Sequence, residues 1–317
     1  MNLDDVVFAL IDKPEGLTSQ ECVSKIKKAL HCSKVGHGGT LDPFATGALP
    51  IFFESWTRLA SLFAFADKRY QATLSLGQKT DTGDKTGTVI SKGPAAVANQ
   101  ANCRLLERSL IGDVDLPIPI YSALKIDGVP MHQLARSGKL TQPVKRRSTT
   151  IHELSLEAKT ADTVLIDVKC SHGTYIRSLG EHIASKLKTQ GHLSVLKRTA
   201  YYLNSAQQAL PLVELGTFLE NPEPYVIKLH QLADILPVYH LNRQHYRDFL
   251  TGKMRRIPLR YHGWYLMHTE DRMIGVVFLE DGRITQRVNV QKINNTTEQE
   301  KLPHPILVQN NAQYLTS

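Results

Sequence analysis

The chain has 317 residues, of which 42% are hydrophobic, so it is long enough for a folded protein with a large core and a second, smaller domain. No run approaches the roughly 18 to 20 apolar residues that a membrane helix needs, so we expect neither membrane insertion nor export. The formal charge of +8 favours a polyanionic partner, although charge alone does not separate nucleic acid from an acidic membrane surface.

The pattern of hydrophobic residues and the helix-capping signals predict the first secondary-structure elements. Residues 6–16, VVFALIDKPEG, predict a buried strand that ends in a Pro/Gly turn. Thr18 and Glu21 then match a capping box, which begins a helix with apolar residues on one face. The glycine-rich stretch 36–51, GHGGTLDPFATGALPI, follows that helix. Residues 69–77 alternate like a strand, and the polar segment after them predicts a turn.

The middle of the chain combines a basic insertion with a change of period. Residues 124–150 are basic and lack a strong periodic signal, which predicts a loop or insertion rather than core. Residues 163–170 alternate as in a strand, and apolar residues from Ile176 onward follow helical spacing. This change predicts a rigid strand-to-helix junction at GTYIR, from which Tyr175 and Arg177 project.

A smaller β-rich module is predicted at the C-terminal end. Beyond about residue 238 the chain consists of short alternating pieces separated by turns, such as WYLMHT and MIGVVFLE. The last residues, rich in Asn, Gln and Thr, are expected to fray. We therefore divide the chain into residues 1–238, with the basic insertion at about 124–150, and residues 239–317.

Four cysteines bear on redox chemistry and location. Cys22, Cys32, Cys103 and Cys170 show neither CxxC spacing nor the density of a secreted disulfide scaffold. We interpret them as reduced, buried thiols of a cytoplasmic protein.

One short motif suggests phosphoryl transfer. Residues 84–90, DKTGTVI, match the aspartyl-phosphate motif of cation-pumping ATPases, with Asp84 as the nucleophile. Those pumps need several membrane spans, and a soluble phosphatase of the related class would need a second acid where this chain has Thr86. We interpret the match as a chance occurrence in a hairpin turn.

Asp42 is a stronger candidate, because it is the only acid in a stretch of glycines, small hydroxyls, proline and hydrocarbon. The flanking glycines permit close approach of a ligand, and Pro43 fixes the chain just after the acid. A cation that keeps this carboxylate ionised would make it a nucleophile, and Arg177 is a candidate to do so by bidentate pairing. The alternative is that Asp42 caps a helix beginning in PFATGALPI.

Three tyrosines lie close to basic residues in the sequence: Tyr70, Tyr121 and Tyr175. Base stacking on aromatic rings beside phosphate-binding cations is how unpaired or flipped RNA bases are held. Taken singly, each tyrosine also fits a half-buried strand residue. The three therefore favour RNA only in combination with other signals.

Six motifs together resemble the TruB-type tRNA pseudouridine synthases. They are DKPEGLTS, GHGGTLDPFATGALP, DKRYQATLSLGQKTDTGD, YSALK, GTYIRSLGEHIA and LKRTA. They occur in that family's order from residue 11 to about residue 200, and the tail resembles the family's small RNA-binding module of the PUA kind. An ordered set of this length is far more specific than one short motif.

The resemblance implies an α+β protein: a pseudouridine synthase fold with a largely antiparallel mixed sheet flanked by helices, and a small C-terminal β-rich PUA-like domain. It implies isomerisation of uridine 55, in the T loop of tRNA, without metal, nucleotide or organic cofactor. Cutting the N1–C1′ bond, turning the base and rejoining it through C5 needs neither water nor phosphate activation, so one carboxylate in a dry pocket can suffice. Whether it attacks C1′, adds to C6 or removes a proton from C2′ stays open.

The resemblance also assigns roles to single residues. Asp42 matches the family's catalytic aspartate, and Arg177 matches the arginine paired with it. Tyr70 matches the tyrosine that stacks on the target base and is implied to help remove the C5 proton. Tyr175 and Leu196 match further positions that line the pocket.

Other matched residues are implied to bind substrate. His37 matches a histidine that helps displace the target from the T-loop stack, a role that suits a neutral imidazole. Lys13 belongs to the first motif, where packing near the active-site loop is an alternative to contact with RNA. Lys145, Arg146 and Arg147 fit a segment that closes over the T arm, and the alternative is a solvated run of charge.

The sequence departs from the family pattern at three places. Gly38 stands where Thr is usual, Phe44 stands where Leu is common, and FESWTR replaces a stretch that normally contains a glycine and ends in Lys. None of these belongs to the matched catalytic set. We expect them to affect loop rigidity and affinity rather than reaction type.

The expected partner is therefore tRNA, bound through its T arm, with no membrane and no metal. A monomer is expected, because flat polyanion-binding faces are poorly compatible with a large self-interface. Two alternatives stay open: an RNA chaperone that binds T arms without requiring catalysis, and phosphoryl transfer at Asp84. Retention of Asp42, Tyr70 and Arg177 together favours the enzyme.

Overall fold

The computed structural model describes most of the chain. The described residues are 6–60, 64, 66–94, 97–122, 124–126, 129–131, 137, 146–202, 212–228, 231–259, 263–269 and 273–289. The chain divides into two compact units, Met1–Gln231 and Leu232–Ser317. The structure thus places the boundary between Gln231 and Leu232, somewhat before the position expected from the change of sequence pattern.

The first unit is built on one large sheet flanked by helices. Its strands are β1 (Val6–Lys13), β2 (Val35–His37), β3 (Thr46–Phe53), β4 (Asp67–Leu76), β5 (Gln78–Thr80), β6 (Val89–Lys92), β7 (Gly112–Pro117), β8 (Lys125–Ile126), β9 (Val129–Pro130), β10 (Arg146–Thr160), β11 (Thr163–Cys170), β12 (Gly191–Tyr202), β13 (Val213–Glu214) and β14 (Val226–Lys228). Among the described residues, its α-helices with stated bounds are α1 (Ser19–Ala29), α2 (Gln100–Leu110), α3 (Ile176–Lys186) and α4 (Leu215–Glu220).

The large sheet has the order β13-β1-β3-β12-β4-β11-β10-β7, with β14 paired to β1 and β2 paired to β3. Only the β1–β13 and β3–β12 pairs are parallel. The short strands β5 with β6, and β8 with β9, form two separate hairpins. The prediction of an α+β protein with a largely antiparallel mixed sheet is confirmed.

Strand alternation decides which side chains reach the inner face of the sheet. Along β4, Lys68, Tyr70 and Ala72 are buried while the residues between them are more exposed. On the neighbouring strand β12, Leu196 and Arg198 are buried in the same way. Because side chains two residues apart share a face, the inner face carries two cations and a tyrosine among apolar neighbours.

The predicted helix start and the predicted junction are both confirmed. Thr18 caps α1, its hydroxyl accepts from the Glu21 N–H, and the Glu21 carboxylate accepts from the Thr18 N–H. At the other site, β11 ends at Cys170 and α3 begins at Ile176. The turn between them contains Gly173 at φ +78°, a left-handed conformation that favours glycine.

The basic insertion ends earlier than the composition suggests. Arg146 and Arg147 begin the long strand β10 and pair with Pro117 and Leu116 of β7. The expectation that residues up to 150 form a loop was wrong for this part, because the exposed positions at the start of β10 leave charged side chains in solvent while the backbone pairs with β7. Lys145 lies outside the described residues.

The segment FESWTR, which departs from the family pattern, is stabilised by local hydrogen bonds. Glu54 adopts φ +45°, where a glycine would be the ordinary choice. Its carboxylate accepts hydrogen bonds from the Ser33 N–H at 2.7 Å and from the Ser33 hydroxyl. These bonds offset the cost of the left-handed backbone and fasten the short 3₁₀ segment Glu54–Leu59.

The second unit is a small β-rich body. It contains β15 (Val238–His240), β16 (Gly263–His268), β17 (Met273–Glu280), β18 (Arg283–Asn289), α5 (Leu232–Ile235) and α6 (Arg243–Leu250). The strands form one sheet in that order. Its core is apolar and includes Leu241, Phe249, Met254, Ile257, Tyr265, Met267, Ile274, Val277 and Leu279. No helix in the described part of either unit is long and apolar enough to cross a membrane.

Candidate active site

A cavity of about 290 Å³ opens on the inner face of the large sheet. Most of its lining residues come from the glycine-rich loop, β4, β12 and the β11–α3 junction, and Ala64 and Ser122 add to them. The full set is Gly38, Gly39, Thr40, Leu41, Asp42, Ala64, Lys68, Tyr70, Ser122, Gly173, Thr174, Tyr175, Ile176, Arg177, Leu196 and Arg198. Five residues predicted for the site are therefore brought together: Asp42, Tyr70, Tyr175, Arg177 and Leu196.

Asp42 and Arg177 form an ion pair in this cavity. The Arg177 Nε lies 2.9 Å from the Asp42 Oδ2, and the arginine side chain is 5% exposed while the aspartate side chain is 36% exposed. The expected bidentate pairing was wrong, because the other two guanidinium nitrogens donate to the Thr82 and Tyr121 carbonyls at 2.7 and 2.8 Å. A fixed, buried cation therefore holds an acid that a ligand can still reach.

Asp84 is a second acid near the arginine, and unlike Asp42 it is buried. Its Oδ2 lies 3.9 Å from the Arg177 Nη1, and its side chain is 6% exposed. The Thr86 N–H and the Thr86 and Thr82 hydroxyls donate to the Asp84 Oδ1. Asp84 thus closes the turn between β5 and β6, which confirms the hairpin and leaves no open face for phosphorylation.

The pKa of Asp42 reflects opposing influences. Burial raises the pKa of this carboxyl, the Arg177 guanidinium lowers it, and the negative charge of Asp84 raises it again. The balance is a pKa above the usual value for aspartate. The arginine is therefore what keeps the carboxylate from being neutralised by its surroundings.

Arg198 joins the glycine-rich loop to the sheet. Its side chain is 2% exposed, and it donates to the Ala48, Gly39 and Thr40 carbonyls at 2.7, 3.0 and 3.4 Å. It also donates to the Tyr70 hydroxyl, whose pKa is raised by burial. This arginine lies in the motif LKRTA, but the sequence pattern does not predict its role, since a cation on an alternating strand is normally on the solvent face.

Close packing of the loop explains two of its glycines. A Cβ at Gly39 would lie 2.6 Å from the Tyr201 hydroxyl, and a Cβ at Gly47 would overlap the Arg198 carbonyl. Gly47 also has φ +100°. The unusual Gly38 is not strained, and its N–H donates to the Pro50 carbonyl at 2.9 Å, so this departure does not leave the loop unanchored.

Lys68 is a buried cation that the sequence analysis did not single out. Its ammonium donates to the Ala64 carbonyl at 3.2 Å and to the Ala66 carbonyl. It also lies 5.1 Å from the centre of the Tyr201 ring. Burial, helped by the nearby Arg198, lowers the Lys68 pKa to about 7. Its place beside Tyr70 follows from the period of two along β4.

His37 lies next to the cavity but does not line it. It ends β2 opposite Ile51 of β3, and its buried Nδ1 finds no hydrogen-bond partner among the described residues. Burial and the charge of Arg198 lower the pKa of its imidazole, which favours the neutral ring. The lowered pKa agrees with the neutral imidazole expected of this histidine.

Lys13 has a structural placement. The side chain is fully buried, and its ammonium donates to the Pro14, Leu17 and Pro43 carbonyls at 2.9, 2.6 and 3.3 Å. The last bond fastens the residue that follows Asp42. Direct contact with RNA is incompatible with this burial, so packing near the loop is the reading that the structure favours.

Arg146 and Arg147 have different contacts, although they are adjacent in the sequence. Arg146 donates to the Asp115 carboxylate at 2.5 Å, so an acid of the protein itself compensates its charge. Arg147 lies against Gly173, which lines the cavity. The structure thus connects only the second arginine to the candidate site.

Comparison with known sequences gives a consistent answer. A family model described as TruB family pseudouridylate synthase (N terminal domain) matches residues 27–176. Curated tRNA pseudouridine synthase B proteins of Azoarcus sp., Aromatoleum aromaticum and Francisella philomiragia are 40%, 35% and 34% identical over 280, 268 and 291 residues. These alignments cover 87%, 84% and 90% of this chain, and 91%, 86% and 95% of those proteins.

Solved structures show the same fold at lower identity. A chain of a Cbf5-Nop10-Gar1 complex has a TM-score of 0.63 and 21% identity, covering 95% of this chain and 86% of that chain. A chain of an H/ACA RNP bound to a substrate RNA containing 2′-deoxyuridine has a TM-score of 0.60 and 19% identity, covering 94% and 87%. The pseudouridine synthase fold expected from the sequence is confirmed.

Proposed function

The chain belongs to the TruB family of pseudouridylate synthases, and from this premise we propose that it converts uridine 55 in the T loop of tRNA to pseudouridine. The observation that carries the proposal is the accessible Asp42 carboxylate, held by the buried Arg177 in a cavity with Tyr70 and Leu196. A base stacked inside a tRNA loop cannot reach such a carboxylate, so the target nucleotide must flip out.

The reaction is a rearrangement within one nucleotide and consumes no second substrate. The N1–C1′ bond breaks, the base turns, C1′ bonds to C5, the proton on C5 leaves and N1 gains a proton. Three roles are compatible with Asp42: attack on C1′, addition to C6, or removal of a proton from C2′. All three need an ionised carboxylate, which is why the opposition between burial and Arg177 is central to the proposal.

Other residues of the cavity are proposed to position the base. Tyr70 lies on the inner face of β4, where its ring can stack on the uracil, and Arg198 fixes its hydroxyl. Tyr175 and Leu196 supply further wall. We assign His37 to displacing the target from the T-loop stack, because its neutral ring is placed one residue before the loop that lines the cavity.

We further propose that the second unit is a PUA-like RNA-binding domain and that the protein contacts the T arm of tRNA as a monomer in the cytoplasm. The exposed arginines of the second unit support RNA binding, and the four free cysteines of the first unit fit a reducing compartment. Light scattering during gel filtration tests the monomer, and a dimer at micromolar concentration would refute it.

The proposed reaction is tested by tritium release from tRNA carrying [5-³H]uridine, with EDTA present. The wild-type chain is expected to release tritium, and Asp42→Asn to release none while binding tRNA within about threefold, since this change keeps size and removes charge. Replacing U55 by C in the transcript should abolish release. Circular dichroism and thermal melting check that the variant is folded.

The alternative is a T-arm-binding RNA chaperone without required catalysis. It predicts that wild type and Asp42→Asn both bind tRNA and that neither releases tritium. Release from the U55C transcript, in contrast, would keep the enzyme and refute the target position.

A further inference from the structure

We propose that Arg147 binds a backbone phosphate of the RNA beside the flipped uridine, at the rim of the cavity. The proposal deepens the proposed function and rests on it. Of the two adjacent arginines of β10, it assigns a ligand to Arg147 and none to Arg146.

The starting observation is that consecutive residues of β10 direct their side chains to opposite faces. Arg146 pairs with Asp115 and borders a different depression, together with Pro117 and His182. Arg147 lies on the other side, over the β11–α3 junction. Because neighbouring residues of a strand face opposite sides, the two arginines have different surroundings.

Arg147 packs against the backbone of the cavity wall. A Cβ added at Gly173 would lie 2.7 Å from the Arg147 Nε, so the guanidinium occupies the space that a side chain would fill. Gly173 has φ +78° and lines the same cavity as Asp42. The glycine thus seats the guanidinium flat on the rim and leaves its edge available to a ligand.

The charge of Arg147 is uncompensated in the described part of the protein. Arg146 has an acid partner there, whereas no carboxylate pairs with Arg147, which is exposed. The adjacent helix α3 begins at Ile176 with no side chain capping its N-terminus at Tyr175. An exposed guanidinium and an uncapped helix start on one rim both favour an anion.

A phosphate is the anion that a flipped nucleotide brings to this rim. When a uridine enters the cavity, its flanking phosphates stay at the mouth, because the sugar-phosphate chain must pass in and out. A planar guanidinium can donate two parallel hydrogen bonds to phosphate oxygens, which an ammonium cannot. The seat on Gly173 pre-orients this donor for the incoming chain.

The experiment compares Arg147→Ala with Arg146→Ala in the full-length protein, using a T-arm hairpin RNA and filter binding at several salt concentrations. For Arg147→Ala we expect the Kd to rise about tenfold and the slope of log K against log salt to fall by about 1. For Arg146→Ala we expect both to stay within about twofold of wild type. Arg147→Lys should keep the slope but regain only part of the affinity.

Single methylphosphonate linkages locate the phosphate. At one linkage next to the target uridine, removal of charge should weaken binding of wild type and leave Arg147→Ala unaffected. Equal affinity and equal slope for wild type and Arg147→Ala, in a variant with unchanged melting temperature, would overturn the inference. The inference would also be overturned if, at every linkage, the methylphosphonate weakened binding of Arg147→Ala as much as it weakens binding of wild type. Because all arms measure binding, tritium release by wild type reports separately on the proposed function.

Discussion

The two units of the molecule place their charges in opposite ways. Among the described residues of the first unit, five charged side chains are buried: Lys13, Lys68, Asp84, Arg177 and Arg198. In the described part of the second unit, no polar or charged residue is buried to that degree. Its cations are on the surface instead and include Arg243, Arg247, Lys253, Arg255, Arg256 and Arg283.

This difference agrees with the roles that we propose for the two units. Burying a charge costs several kcal/mol unless hydrogen bonds and an opposite charge compensate it. In the first unit each buried cation is held by backbone carbonyls, as Lys13 and Arg198 are, or by carbonyls and an acid, as Arg177 is. Catalysis gains from such fixed charges, because they need no rearrangement when the reaction occurs. Holding a polyanion needs only exposed cations.

The largest effect is expected from Arg177→Met. The change leaves Asp42 without its cation, so the Asp42 pKa rises further and the acid limb of the single-turnover rate moves to higher pH. We expect a loss of about a thousandfold in that rate at pH 7. The matched control is Arg69→Met, because Arg69 also pairs with an aspartate through its Nε at 2.7 Å, but on the surface.

Arg69→Met should retain a rate within about twofold of wild type. If both arginine variants lost activity equally, the contrast between buried and exposed ion pairs would not explain catalysis. An acid limb that stayed in place in Arg177→Met would show that the arginine does not act through ionisation of Asp42.

Asp84→Asn should reduce the rate less than Arg177→Met does, and it should shift the acid limb of the pH profile in the opposite direction. Its charge raises the Asp42 pKa, so removing it should lower that pKa and move the acid limb to lower pH. The rate on the plateau should fall by about tenfold to a hundredfold, because Arg177 loses a neighbour at 3.9 Å and is held less firmly. The measurement is the pH profile of the single-turnover rate, and an acid limb shifted upward would contradict the electrostatic account.

Binding by the second unit should be separable from catalysis by the first. A chain ending at Gln231 is expected to bind tRNA about tenfold more weakly, with a shallower salt dependence, and to keep its rate at saturating enzyme. A less drastic version replaces Arg255 and Arg256 by Glu in the full-length chain. Unchanged affinity in both proteins would end the division of labour between the units.

Much of the first unit could be predicted because its local signals agree with its tertiary structure. The alternation in β4, the capping box at Thr18 and the change of period before Ile176 all lie where the structure has them. The contact between Asp42 and Arg177 was expected from the resemblance to the family. Local patterning and the order of motifs were sufficient for these features.

The buried cations could not be predicted in the same way. Lys68 and Arg198 occupy strand positions where a charged residue normally faces solvent, and only the pairing of β4 with β12 places both inside. Arg146 and Arg147 looked alike as a basic run, and their separation depends on which face of β10 meets Gly173. The period of two places Lys68 on one face with Tyr70, but tertiary contacts decide which face is buried.

The last prediction concerns Lys68 and the stability of the first unit, where we expect the smallest effect on activity. Its folded pKa is about 7, against 10.5 for an ordinary lysine. Between these values the unfolded chain binds the proton and the folded chain does not, so stability should rise as pH rises through this window. Lys68→Met should remove that rise, on the order of 3 to 4 kcal/mol between pH 7 and pH 10.

The measurement is urea unfolding at several pH values in a Trp264→Phe background, so that the buried Trp56 reports on the first unit alone. Loss of the bonds to the Ala64 and Ala66 carbonyls shifts the stability of Lys68→Met at every pH, so the comparison uses the slope with pH and not the offset. The exposed Lys159→Met should leave the slope unchanged. Parallel slopes for wild type and Lys68→Met would mean that this buried lysine stays charged in the folded protein, and that the first unit tolerates one more internal charge than its hydrogen bonds suggest.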